Sequence, residues 1–469
     1  MTLAEILAAG PPDVPVFRAA RDARVLTCAD LDVATRTWSP PLDDAADPPV
    51  VALVVADPLR FARAFLGLLA AGATVAPLDP RLDAAQLRAE VAEVGATRLV
   101  ADRSLDVDVT PLAPAPVVGP APRRAGKGRV LLRSSGTTGP RKKIVLTEHQ
   151  LLHTARAIAR HHGFGPGERG LNPLPLFHVN AEVVGLLATA VSGAELVLDD
   201  GFHRDLWEVA AQHRATWVNA VPAILAILPS CGRAPESVRF VRSASAPLPV
   251  PVLDRFEAAC GVPVVETYGM TEAASQICAN PVAGPRKPGS VGPPVDIDLR
   301  IVAADGKPCG VGELGQVQIR GDGVVTGTAW LSTGDVGYQD ADGYVFLSGR
   351  LDDVINRGGE KVFPRDVEAV LLADDRVEDA VVVGAPDEVL GSVPVAFVLA
   401  APGSGVESLT ADLHERCART LARFRRPARI EVVETLPQGP TGKVSRVALR
   451  AVAAGGPVLV TAGDVPRPV

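Results

Sequence analysis

Between residues 50 and 267 short apolar runs alternate with helical patterns, and no other feature of the chain narrows its fold as far. The pattern predicts a strand over 50–56, a helix over 60–71, a strand over 74–77, a helix over 83–94 and a strand over 98–101. Residues 106–128 are rich in Pro and Ala and read as an irregular connection. The alternation then resumes, with helices over 149–161, 183–191, 204–213, 222–229 and 250–260. Strands fall over 171–175, 194–198, 215–220, 238–243 and 263–267. Parallel strands need a crossover of a dozen or so residues, and a helix usually supplies it, so this rhythm predicts parallel sheet covered by helices. Ligands of such folds sit beyond the C-terminal ends of the strands.

From about 285 to 350 the pattern changes to short strands with Gly-rich turns, which predicts a small antiparallel β unit. Beyond 353, runs at 367–372, 380–384, 393–399, 409–420 and 430–433 mix strand and helix and suffice for a separate α+β domain. Residues 453–469 show no periodicity and are expected to fray. The segment Gly165-Pro166-Gly167-Glu168-Arg169-Gly170 matches GxGxxG, but it follows a helix and precedes a strand. The dinucleotide fingerprint needs the opposite order, so this one reads as a turn.

Length and charge bound the function. A chain of 469 residues is expected to hold two or three domains. A net charge of -7 with no long basic run argues against nucleic acid as a partner. Six scattered cysteines without a CxxC pair argue against zinc and against a disulfide framework. The start lacks a basic leader, and no apolar run reaches the ~18 residues of a membrane span. The expectation is a soluble cytoplasmic protein with no membrane partner.

Chemistry concentrates at residues 134–143, where four hydroxyls, two glycines and three cations fall within ten residues. The run Ser134-Ser135-Gly136-Thr137-Thr138-Gly139-Pro140-Arg141-Lys142-Lys143 follows the apolar strand pattern of Val130, Leu131 and Leu132, and a helical pattern starts soon after. Glycine lets a backbone approach a ligand closely, and hydroxyls, N–H groups and cations suit phosphate oxygens. A Walker A loop is a poor fit, because Gly139 is followed by Pro140 rather than Lys. On composition alone, a plain polar loop fits as well as a polyphosphate cradle.

Five further segments settle the reading: Tyr268-Gly269-Met270-Thr271-Glu272, Ser332-Thr333-Gly334-Asp335, Gly349-Arg350-Leu351-Asp352-Asp353, Gly358-Gly359-Glu360-Lys361 and Pro440-Thr441-Gly442-Lys443. With the phosphate loop they resemble, in order, the signatures of the adenylate-forming superfamily, in its acyl- and aryl-CoA synthetase branch. The resemblance implies an α/β chain with a large N-terminal domain, 1–351, of helix-covered, mostly parallel sheets and a small β subdomain at about 285–350. A mobile α+β C-terminal lid domain, 352–469, would hinge at Asp352. The implied activity is ATP-dependent formation of acyl-AMP and then of a CoA thioester, with ATP, Mg²⁺ and coenzyme A.

Roles carry over residue by residue. Ser134, Ser135, Thr137, Thr138 and Lys142 would hold the β,γ-phosphates on a backbone shaped by Gly136 and Gly139. Glu272 and Thr137 would bear Mg²⁺, a hard cation that prefers oxygen ligands. Asp335 would accept from the ribose hydroxyls, assisted by Arg350. Ala244, Ser245, Ala246, Thr267, Tyr268, Gly269, Met270 and Thr271 would flank the nucleotide. Lys443 would reach the oxygen joining the carbonyl to the α-phosphate. Gly358, Gly359 and Glu360 would line the thiol tunnel, and Arg425-Arg426-Pro427 resembles a segment of CoA-using members.

His178, in Pro175-Leu176-Phe177-His178, resembles the acyl-pocket gate; a satisfied core histidine is the bland alternative. Val179, Asn180, Trp217, Asn219, Val221, Arg242 and Ser243 are the expected pocket walls. Trp217, with no long apolar tunnel in view, points to a small or aromatic acid. Two departures stand out: Arg141 and Lys143 in the phosphate loop, and Val179-Asn180-Ala181-Glu182 after the gate. They leave open an acceptor other than CoA, either an acyl carrier protein thiol or an amine. Oligomeric state is not readable here.

Overall fold

The computed structural model describes residues 1–43, 49–102, 109–112, 125–133, 142–401, 404, 408–438 and 444–456. The chain opens with α1 (Leu3–Ala9), β1 (Pro15–Ala19), β2 (Val25–Thr27) and α2 (Cys28–Asp43). Next come β3 (Val50–Val54), α3 (Pro58–Ala70), β4 (Thr74–Pro77), α4 (Ala84–Val94), β5 (Arg98–Ala101) and β6 (Thr110–Pro111). β7 (Arg129–Arg133), β8 (Lys143–Thr147) and α5 (Glu148–His162) follow. Then come β9 (Arg169–Asn172), a π-helix (Ala181–Leu187), α6 (Ala188–Ser192), β10 (Glu195–Leu198) and α7 (Leu206–Gln212). β11 (Trp217–Ala220), α8 (Pro222–Ile227), β12 (Phe240–Ser243), α9 (Val250–Cys260), β13 (Val264–Tyr268) and β14 (Cys278–Ala279) complete this region.

Two sheets result. β14-β13-β12-β11-β9-β10-β1-β2 is parallel from β13 to β1 and antiparallel at both ends. β6-β5-β3-β4-β7-β8 is parallel except for the β7–β8 pair. One apolar core runs between them, from Leu3 and Phe17 through Phe65 and Leu151 to Trp217 and Phe256. The predicted strand–helix alternation is therefore present. Local signals explain the helix starts: Asp57 caps α3 ahead of Pro58, while Asp83 with Gln86 and Thr147 with Gln150 form capping boxes on α4 and α5.

Three features differ from the sequence expectation. A strand, β8, stands between the hydroxyl-rich loop and α5; its residues alternate exposed and buried, as an edge strand with one wet face should. The helix expected over 183–191 begins as the π-helix and turns α-helical only at Ala188. Residues 1–49, which showed no clear pattern, supply α1, α2 and the two strands that extend the larger sheet. The GxGxxG segment is a turn between α5 and β9.

β15 (Asp298–Val302), β16 (Gly315–Arg320), β17 (Leu331–Gln339) and β18 (Val345–Arg350) form an antiparallel four-stranded sheet with its own core of Val291, Ile301, Val317, Ile319 and Val345. The chain continues through β19 (Ile355–Arg357), β20 (Glu360–Val362), α10 (Pro364–Leu372), β21 (Val377–Asp387) and β22 (Gly391–Ala400). It ends with α11 (Leu409–Thr420), β23 (Arg429–Val433) and α12 (Arg446–Ala453), of which α12 escaped the sequence reading. The two faces of this last sheet follow strand parity. Ala380 and Val382 of β21 pack with α10 and α11, whereas Val381, Val383 and Ala385 pack with Leu449 and Ala453 of α12.

Two outcomes follow for stability. Leu449 is 3% exposed on the α12 face, so Leu449→Ala is expected to cost roughly 2–5 kcal/mol in chemical denaturation. A loss under about 1 kcal/mol would show that α12 is not packed there. Burial pushes the Glu266 carboxyl on β13 from its ordinary 4.5 up to about 7, against the smaller pull of the Leu248 N–H and Arg365. The folded chain thus holds this proton more tightly than the unfolded chain. Its contribution is fully present below pH 4.5 and is lost as pH rises through about 7. Glu266→Gln should flatten the fall in stability between those pH values, and an unchanged slope would remove Glu266 as its source.

Candidate functional site

The parallel strands of the larger sheet end together. In register, Ala220 of β11 lies beside Ser243 of β12, and Ser243 beside Glu266 of β13. Tyr268 closes β13, and its hydroxyl donates to Oδ2 of Asp335, a buried residue of β17. Burial and the Asp335 charge hold the phenol well above its ordinary pKa. Asp335 and Arg350 are cross-strand partners, with Arg350 Nη1 3.7 Å from Asp335 Oδ1. Gly334 makes room for this: a Cβ there would lie 2.7 Å from Arg350 Nη2, at a backbone φ of +78°. The Asp335 backbone N–H donates to Thr333 Oγ1 at 3.1 Å, which pins the backbone at this bend of β17. Asp335 and Arg350, which follow Tyr268 by 67 and 82 residues, are thereby brought to one place with it.

The segment after β13 is tightly folded. A Cβ on Gly269 would come 1.3 Å from the Ser275 carbonyl oxygen, so only glycine fits. Met270 and Thr271 lead into a 3₁₀ turn, and Glu272 on it accepts the Val325 N–H through its backbone carbonyl at 2.9 Å. The Glu272 carboxylate is half-buried and joins no ion pair among the described residues, which suits a hard cation. Three of the five non-glycine residues with positive φ among the described residues fall here: Ser245 at +72°, Ala274 at +48° and Ser275 at +95°. Backbone strain of this kind costs about 1–3 kcal/mol per residue and collects at functional sites. Thr267 donates to the Ser243 carbonyl at 2.9 Å, fastening β13 to the buried Ala244 and the exposed Ser245 and Ala246.

Ser134, Ser135, Gly136, Thr137, Thr138 and Gly139 lie outside the described residues, as do Arg141 and Lys443. Their flanks are described. Arg133 of β7 pairs with Lys143 of β8, and Lys142 is exposed beside them. Gln438 bridges Val444, and the Ser445 N–H donates to the Pro437 carbonyl at 2.7 Å. Gly358, Gly359 and Glu360 form the exposed turn joining β19 and β20 and share no hydrogen bond with the Tyr268–Asp335 group among the described residues. Asp352 is exposed, and its carbonyl accepts from Arg450 at 3.2 Å. Arg425 pairs with Asp366 at 3.2 Å, while Arg426 donates to the Leu421 and Ala418 carbonyls near the end of α11.

On the expected acyl side, His178 is exposed with its ring 4.4 Å from that of Phe177, which excludes the core-histidine reading. Val179 is half-buried, and Val221 caps α8. Asn180, Asn219 and Arg242 meet in one buried group. Arg242 Nη1 donates to Asn180 Oδ1 at 2.9 Å and Asn219 Oδ1 at 3.3 Å, and Nη2 to Gln276 Oε1 at 3.2 Å. Asn180 in turn reaches Ser245 Oγ at 3.4 Å, and Asn219 reaches Asn172 Oδ1 at 2.9 Å. Ser243 is buried beside them. Burial pulls the Arg242 guanidinium down to about 9, still charged at neutral pH, and burial together with this charge lowers the pKa values of His161 and His162.

Trp217 is a correction. It opens β11, at the end of the strand away from the ligand edge, and is fully buried, with Phe164 stacked on it at 4.3 Å. It is a core residue rather than a pocket wall. Gln276 and Asn172, by contrast, join the Arg242 group by hydrogen bonds and were not singled out in the sequence. The available signal was a polar residue closing an apolar strand for Asn172 and proximity to the Tyr268–Glu272 segment for Gln276.

Residues 5–328 match the family described as AMP-binding enzyme, and residues 366–443 match its C-terminal domain. The chain is 34% identical to a sulfoacetate–CoA ligase of Cupriavidus necator over 95% of its own length and 96% of the relative's. It is 33% identical to an oxalate–CoA ligase of Arabidopsis thaliana, covering 88% and 91%. The solved O-succinylbenzoate coenzyme A synthetase of Bacillus subtilis, in complex with ATP and magnesium ion, superposes with a TM-score of 0.83 at 26% identity, covering 95% and 98%. The tyrosine, aspartate and arginine gathered at the end of β13 thus stand in a chain that belongs to the AMP-binding enzyme family.

Proposed function

We propose that this chain is an ATP-dependent carboxylic acid–CoA ligase, acting in the cytoplasm on a small or aromatic acid. The observation that carries the reading is the Tyr268–Asp335–Arg350 group, a buried carboxylate held by a phenol and a cross-strand guanidinium at the C-terminal edge of a parallel sheet. Support comes from relatives named for CoA ligation that match it along nearly their whole length.

A carboxylate is a poor electrophile until it carries a good leaving group. One of its oxygens would attack the α-phosphorus of ATP in line, forming acyl-AMP and releasing pyrophosphate. The CoA thiol, losing its proton, would then attack the carbonyl carbon and expel AMP. Charge gathers on the phosphoryl oxygens in the first step, so catalysis there is positioning and electrostatics. Asp335 would accept from the ribose hydroxyls, with Arg350 beside it. Residues 134–142 would hold the β,γ-phosphates. Magnesium, held by Glu272 and Thr137, would supply charge neutralisation.

The second step motivates a lid at 352–469, hinged at Asp352. Lys443 would stabilise the first transition state and withdraw before the thiol enters past Gly358–Glu360. Such gating also keeps water from the adenylate.

Pyrophosphate exchange over a panel of acids, followed by thioester formation with CoA, tests the proposal. Exchange without thioester would point to a carrier-protein thiol or an amine as acceptor, and no exchange with any acid would end the ligase reading. Asp335→Asn keeps the shape but removes the charge, and is expected to raise the KM for ATP roughly 10- to 100-fold. An unchanged KM would take Asp335 out of the nucleotide site. Lys443→Ala is expected to lower exchange by about 10²–10³ or more while ATP still binds in calorimetry. Exchange at the parent rate would deny the lysine its role.

A further inference from the structure

The Arg242 group is costly in a way the steps above do not use. The side chain is 1% exposed, yet its three hydrogen-bond partners, Asn180, Asn219 and Gln276, are neutral amides. Among the described residues it joins no ion pair. Glu182, two residues beyond Asn180, is fully buried too, but neither of its carboxyl oxygens meets a partner, and burial holds it well above the usual carboxylate range. Among the described residues it forms no ion pair with Arg242 and so does not serve as the counter-ion. A buried charge without an opposite charge is among the least favourable arrangements a protein can hold, and an apolar residue of similar volume would usually do better.

Around this guanidinium hydrogen-bonding capacity is left over. Arg242 Nε, Gln276 Nε2 and Ser243 Oγ are all buried and meet no partner among the described residues. All three are able to donate, and native proteins rarely leave such groups unpaired. The group also borders the acyl side: Asn180 follows the His178 gate by two residues and touches Ser245, where the backbone is strained.

Taken with the ligase reading, on which this rests, we infer that Arg242 determines acid specificity, selecting substrates that carry a second anionic group, carboxylate or sulfonate, over neutral acids of the same size. The carboxylate to be activated faces ATP, and the second group lies toward Arg242, which supplies the missing opposite charge. Asn180, Asn219 and Gln276 hold the guanidinium in place without neutralising it. That is why amides rather than acids surround it.

The test is pyrophosphate exchange with size-matched pairs: sulfoacetate against methylsulfonylacetate, succinate against butyrate, and phthalate against 2-methylbenzoate. The parent enzyme is expected to favour the doubly acidic member of at least one pair by roughly 10²-fold or more in kcat/KM. Arg242→Gln should bring that ratio to within about threefold of unity while the KM for ATP moves less than about threefold. Asn180→Asp, nearly isosteric, sets a permanent carboxylate against Arg242 and should collapse the same ratio even if the arginine variant fails to fold. A parent enzyme that prefers the neutral members, or variants that slow both members of a pair equally, would overturn the inference and leave the ligase reading standing. No exchange with any acid would sink both.

Discussion

The functional side chains that the structure places depend on one constraint, the common register of the parallel strands β9, β11, β12 and β13. Because Asn219 is the direct neighbour of Arg242 across β11 and β12, and both point to the side facing α5, two residues 23 apart in sequence become hydrogen-bonded. A slip of one position would turn either side chain to the opposite face. The same edge delivers Tyr268 to Asp335. Register is secured below by the packed aromatic layer of Trp217, Phe164 and Phe240, at the ends of the strands that carry no chemistry. The tryptophan that looked like a pocket wall thus holds the strands from their opposite ends.

The second fixed point is the join between the larger sheet and the β15–β18 sheet. Asp335 answers to both: Tyr268 holds one oxygen from β13, and Arg350 stands near the other from β18. Arg365 of α10 adds a third body to this contact. It donates to the Leu347 carbonyl at 3.3 Å and lies close enough to Asp335, Glu266 and Glu368 to be affected by all three. Half-buried and influenced by these three carboxylates, it ties α10 to the Tyr268–Asp335 contact by charge as well as by packing. That is an arrangement in which filling the site with a polyanion would change what the helix feels.

Much of this was legible in the sequence, and the limits have physical causes. Strand–helix alternation over 50–267 identified the sheets because period-2 and period-3.6 patterns are written locally. The ordered signatures identified Tyr268, Asp335 and Arg350 because glycine constraints at Gly269 and Gly334 make those segments recognisable. The π-helix was read as an α-helix because its residues, Ala181 to Leu187, are uniformly buried and offer no periodic face. β8 was missed because five residues with only two buried give a weak signal beside a conspicuous loop. Asn180, Asn219 and Arg242 were expected only as separate pocket walls, and Gln276 not at all. Arg242 and its three partners come from four separate stretches of chain, and nothing local reports that a cation is surrounded by amides.

Both loops that carry the strongest chemical signatures are held at their bases in the same manner. Arg133 faces Lys143 across the hydroxyl-rich loop, and Gln438 faces Val444 across the loop of Lys443. The second base is secured further. Arg446 reaches Glu368 at 2.7 Å and the Val382 carbonyl at 2.6 Å, and Arg450 reaches Asp353 and the Asp352 carbonyl. The start of α12, Glu368 of α10, Val382 of β21 and the turn at 351–353 therefore form one network of charge-assisted bonds. Loss of Arg446 or Arg450 would loosen the start of α12 against α10, β21 and the 351–353 turn.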